Sequence, residues 1–127
     1  MNTEKVVFAF FIVLALTLNF GFFLGEMTNP EHHNVYELFF ATAVSLIATV
    51  MKFGDRTHMG AILLATSLVA DLQLVIAAVI WAWAVHASSA GMDGAAIASI
   101  VSLSGGALLA NLLSAVLLVI ETVMIRR

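Results

Sequence analysis

The chain lacks cysteine altogether, has one proline, and carries only five lysines and arginines in 127 residues. Without cysteine there is no disulfide, iron–sulfur cluster or thiol chemistry. A net charge of −3 argues against a nucleic-acid partner. A single proline and no low-complexity stretch leave no linker, so residues 1–127 read as one domain. Charge is scarce in general. Charged residues make up 10% of the chain and apolar ones 62%, where soluble domains carry about 25% and about 45–50%. With a mean hydropathy of +1.08, both departures run toward lipid.

What is present is four long apolar runs. They predict an all-α polytopic membrane protein, a bundle of four transmembrane helices spanning about 6–25, 35–51, 61–85 and 95–125. None shows the alternation of apolar and polar residues that barrel strands need. The first run is too long, and its flank too weakly basic, for a cleaved signal peptide, so it reads as a span. Asn29-Pro30 marks a turn in the first loop, and Trp81 and Trp83 suit a membrane interface. At about 1.5 Å per residue the fourth run outreaches a hydrocarbon core about 30 Å thick, so it must tilt, kink or protrude. Gly105-Gly106 is the expected kink.

The basic residues are Lys5, Lys52, Arg56, Arg126 and Arg127. All fall in the N-terminus, the second loop or the C-terminus, which four spans place on one side. The other two loops carry Glu26, Glu31 and Asp93 but no lysine or arginine. The positive-inside rule then puts both termini in the cytoplasm.

Ionisable groups inside lipid are functional candidates by default, because inserting one costs at least about 2.5–3.5 kcal/mol. At about 1.5 Å per residue, Asp71 lies about 15 Å beyond Ala61, near the midplane. No lysine, arginine or histidine falls within any expected span. Asn111, at similar depth on the fourth helix, is the expected neutral partner, and Ser67, one turn before Asp71, the second donor. Gln73 points to another face. On one reading Asp71, Asn111 and Ser67 line a cation or proton path. On the other, Asp71 is neutral or merely satisfied by bonds between helices.

Glu37, at the outer end of the second span, heads a stripe through Ala41, Ser45 and Thr49. It reads as the acidic mouth of a hydrated path or as an interfacial Glu above a packing face. His32, His33 and Glu37, with Glu31 and with His86 and Asp93 of the other outer loop as further candidates, carry zinc-type ligands. Adjacent histidines point apart, however, and the spacing matches no zinc motif, so no metal is expected and the loop reads as solvated. Gly54-Asp55-Arg56-Thr57-His58 reads as an Asp–Arg turn anchoring the cytoplasmic side. Ala98, Ser102, Gly106, Ala110 and Ser114 recur every four residues as a small-residue packing ridge, and Gly21 and Gly25 form a shorter GxxxG. Such ridges build a monomer or a symmetric oligomer, so self-association is expected.

Size, topology and the stretches HHNVYELFF, KFGDRTH and ADLQL resemble small bacterial four-helix inner-membrane proteins of unassigned function. The resemblance implies a multi-pass protein of the cell inner membrane and assigns no catalytic residue. Fluoride channels carry a Gly-rich first helix and a Thr/Ser/Phe motif that this chain lacks. Small multidrug exporters carry a Glu in mid first helix, where this chain has Asn19. No nucleophile has a base beside it, so neither an enzyme nor a cofactor is expected. Two functions remain open: an oligomeric cation channel or proton-coupled carrier using Asp71, and a non-catalytic accessory subunit of a larger membrane transporter or complex.

Overall fold

Long apolar runs without strand-like alternation satisfy their backbone groups internally by coiling into helices. The computed structural model describes residues 3–25, 28–54 and 57–126, the side chains at 125 and 126 excepted. Within it α1 spans Thr3–Phe23, α2 Val35–Lys52, α3 His58–His86 and α4 Gly94–Arg126, with 21, 18, 29 and 33 residues. A 3₁₀ turn, Pro30–His32, precedes α2, and no strand occurs among the described residues. Glu26, Asp55, Arg56 and Arg127, used above for orientation and for the Asp–Arg turn, lie outside the described residues, as does the side chain of Arg126.

The helix starts are written in short polar side chains. Asn34 Oδ1 accepts from the Tyr36 N–H at 2.9 Å, Thr57 Oγ1 from Gly60 at 3.0 Å and Asp93 Oδ1 from Ala96 at 2.8 Å. Each answers an N–H that the first turn leaves unpaired. After α1, Gly25 adopts φ +101°, a left-handed conformation suited to glycine. A Cβ there would lie 2.5 Å from the His32 Cβ.

Most helix boundaries differ by one to three residues from those the hydropathy suggests, and α3 starts at His58 rather than Ala61. α1 begins at Thr3 and takes in Glu4 and Lys5, because polar residues at an interface extend a helix as readily as apolar ones. It stops at Phe23, so Gly25 lies beyond it and the GxxxG is not a helix face. Lys52 ends α2 rather than opening the loop. α4 runs unbroken through Gly105-Gly106. The two glycines make room instead: a Cβ on Gly105 would meet the Phe23 ring at 2.8 Å, and one on Gly106 the Gln73 amide at 2.5 Å.

Each helix packs on its neighbour in the chain, and α4 closes the ring against α1. Lys5 Nζ and Glu121 Oε1, 3.2 Å apart, tie the start of α1 to the end of α4. All four helices are long and apolar enough to cross a membrane. Large apolar side chains point outward, with Phe10, Phe40, Val79 and Leu109 at least 60% exposed. Many of the buried residues are small or polar. An apolar exterior over such an interior marks a small membrane protein.

The apolar core is in two pieces. One cluster holds Phe22, Leu38, Ala41, Ala70, Leu74, Ala77, Ile97, Ile100, Val101 and Ala107. The other, toward the Lys5–Glu121 end, holds Phe8, Ile12, Ala48 and Leu63.

Candidate functional site

Between the two clusters runs a layer of short polar side chains. α2 supplies Ser45 and Thr49, α3 supplies Thr66, Ser67 and Asp71, and α4 supplies Asn111 and Ser114. All but Thr66 are buried. Their spacing makes this possible. Ser45 and Thr49 are one turn apart on α2, as are Ser67 and Asp71 on α3, so each pair shares a face.

Asp71 is the ionisable member. The Ser45 hydroxyl donates to its Oδ1 at 2.6 Å, and the Thr49 hydroxyl faces Oδ2. Thr49 Oγ1 also lies 3.0 Å from the Ser45 carbonyl oxygen. Thr49 has one hydroxyl hydrogen and two acceptors before it. Either that hydrogen is shared, or Asp71 Oδ2 carries a proton of its own and donates it to Thr49 Oγ1. The carboxyl sits where α2 and α3 meet. An outward groove there has walls of Leu46, Val50, Phe53, Leu68, Leu72 and Val75, with Thr49 and Asp71 as its polar lining.

These partners are not the expected ones. Asn111 and Ser67 share the layer with Asp71 but do not bond to it. Ser67 Oγ and both polar atoms of Asn111 have no hydrogen-bond partner. Depth along a helix follows from residue count, but direction around the helix depends on how the helices dock, and Asp71 turns toward α2. The stripe through Ala41, Ser45 and Thr49 was legible. What links it to Asp71 is the antiparallel pairing of α2 with α3. Glu37 heads that stripe but lies far up α2, with its carboxylate over Gly21, where a Cβ would collide with it. Gly21 therefore serves α2 contact.

The outer histidines are pulled apart. The His33 Nδ1–H donates to the Phe22 carbonyl at the end of α1, and its ring lies 5.4 Å from the Phe22 ring. His32 Nε2 is 3.2 Å from Asn29 Nδ2. Among the described residues no three His, Asp or Glu side chains gather as a metal site. The α4 ridge also divides: Ser114 is buried and its Oγ meets Thr66 Oγ1 at 2.6 Å, Gly106 and Ala110 are half-buried, and Ser102 is exposed.

Two polar features escape a reading by depth alone. Asn19 and Ser104 form a reciprocal pair across α1 and α4, Asn19 Nδ2 donating to the Ser104 carbonyl at 3.1 Å while the Ser104 hydroxyl donates to Asn19 Oδ1. Lys52 is buried, with Nζ 4.4 Å from the centre of the Phe8 ring. It lies one turn below Thr49 on the same face of α2. Its position at the end of an apolar run was the available signal.

A family described as of unknown function matches residues 32–122, which include every member of the polar layer. No curated protein and no solved structure matches the chain.

Proposed function

The chain belongs to this family of unknown function, DUF6394, and we propose from its own residues that it moves a proton or small cation across the membrane, with Asp71 as the ion-binding group. The observation that carries this is Asp71 itself: a carboxyl in a polar layer between two apolar clusters, held at both oxygens by neutral hydroxyls. Hydrogen bonds between membrane helices average about 0.6 kcal/mol, against an insertion penalty of about 2.5–3.5 kcal/mol for a mid-helix Asp. An amide or hydroxyl would join α2 to α3 without that penalty. A group able to gain and lose a positive partner accounts for an acid at this place. The unsettled hydrogen count at Thr49 favours the proton as that partner.

The same proposal makes the protein a non-enzymatic, multi-pass protein of the cell inner membrane. The end carrying Lys5 and Glu121, with both termini, then faces the cytoplasm. Self-association, or docking as an accessory subunit on a larger membrane partner, would use the outward groove between α3 and α4, which Gly106 and Ala110 line beside Thr66 and Gln73. Stoichiometric co-purification of another subunit would favour the accessory role.

The test is flux. Purified protein in liposomes should pass protons or a monovalent cation down an imposed gradient. Asp71→Asn, which keeps the shape and loses the charge, should abolish this, and Asp71→Glu should retain part of it. Folded wild-type protein that passes neither protons, sodium nor potassium would rule the proposal out.

A further inference from the structure

We infer that the polar layer is a water site: Ser67 and Asn111 hold internal water beside Asp71, and protons reach the carboxyl through it. The site stands on geometry alone, and only the route rests on the function proposed above.

Ser67 and Asn111 are fully buried, and three of their polar atoms, Ser67 Oγ, Asn111 Oδ1 and Asn111 Nδ2, have no partner in the protein. Folded proteins rarely leave such atoms unanswered. The register of α3 on α4 sets the two residues at one section of the bundle. Thr66 bonds Ser114 on one side of that section, and Gln73 lies against Gly106 on the other. Both residues belong to the buried stripes of their helices, Ser67 with Leu63, Ala70 and Leu74, and Asn111 with Ser104, Ala107 and Ser114. On one side of each residue the neighbouring turn offers little bulk. Ala70 follows Ser67 by three residues, Ala107 precedes Asn111 by four, and Ala48 follows Ser45 by three. The section is also where the two apolar clusters fail to meet.

The unpartnered atoms choose the occupant. A metal cation would suit Ser67 Oγ and Asn111 Oδ1 but meet the N–H groups of Asn111 Nδ2 head on. An anion would suit Nδ2 and be repelled by Oδ1. Water answers donor and acceptor alike, and buried waters with two to four polar partners are ordinary in proteins, about one per 27 residues. Ser67 is one turn from Asp71 on the same face of α3, within reach of a single bridging water. In a relay through that water, an arriving proton forms a new O–H bond on the water, a different O–H bond of the water breaks, and the released proton forms its O–H bond at an Asp71 carboxylate oxygen, so the water ends neutral and the carboxyl carries the proton.

Water-edited solid-state NMR on asparagine-labelled protein in lipid bilayers reads the site directly in the wild type. The Asn111 side-chain amide should receive magnetisation from water as early as that of exposed Asn34. Asn19, equally buried but paired with Ser104, should trail both. Asn111 trailing with Asn19 would overturn the inference, whatever the flux. Asn111→Leu gives an independent check: in a dry bundle, removing an unanswered amide raises thermal stability, whereas emptying a water site does not. A wet Asn111 in a protein that carries no proton flux would establish the site and overturn the route.

Discussion

At the scale of the residue, Asp71 depends on two hydroxyls, and they are not equivalent. Ser45 has the carboxylate as its one acceptor, while Thr49 also faces the Ser45 carbonyl. Thr49→Val keeps the shape of the side chain and leaves Asp71 Oδ2 unanswered, at a cost of about 1–3 kcal/mol. Replacing Ser45, Thr49 and Asp71 together by Ala, Val and Leu leaves no polar atom stranded and should restore most of that stability. Unfolding in mixed micelles measures both, and a neutral Thr49→Val would show that water or the lipid-side groove already serves Oδ2. The place of Asp71 along α3 was legible because a helix rises a fixed distance per residue. Its partners were not, since Asn111 shares its depth while Ser45 and Thr49 share its contact.

At the scale of the element, the four helices were legible to within three residues at each end, because long apolar runs mark them; the caps at Asn34, Thr57 and Asp93 emerge only in the structure. The faces were less so, and α4 shows why. Successive residues of a helix turn by about 100°, so a step of four overshoots a full turn by about 40° and five such residues sweep about 160°. The ridge from Ala98 to Ser114 therefore cannot stay on one face. It passes from half-buried Ala98 through exposed Ser102 to buried Ser114, whereas the core stripe alternates steps of three and four through Ile97, Ile100, Ser104, Ala107, Asn111 and Ser114. Ser102→Leu should accordingly change stability by no more than about 0.5 kcal/mol. Gly106→Leu displaces Gln73 from α3 and should cost about 1–3 kcal/mol by overpacking. Equal losses at both positions would mean that the whole ridge is covered, as a symmetric oligomer would cover it.

At the scale of the molecule, an up-and-down bundle with its termini at one end follows from an even count of helices, and the Lys5–Glu121 pair joins those ends. The split of the core into two clusters was not legible, because it needs three helices to bring polar residues to one section. Which end faces the cytoplasm rests on the basic residues, and the cysteine-free sequence gives that question a clean background. Glu31 and Ser89 are exposed in the two loops at one end of the bundle, and Gly54 is exposed in the loop at the other. With single cysteines at these positions, a membrane-impermeant maleimide should label the Glu31→Cys and Ser89→Cys proteins in intact spheroplasts. It should reach Gly54→Cys only after permeabilisation, since a Cβ there meets nothing within 4 Å and access, not burial, controls the reaction. The reverse pattern would invert the protein in its membrane and place the Glu37 end in the cytoplasm. Labelling of all three from outside would mean that the four helices do not span it, and Asp71 would then lose the lipid surroundings on which its role depends.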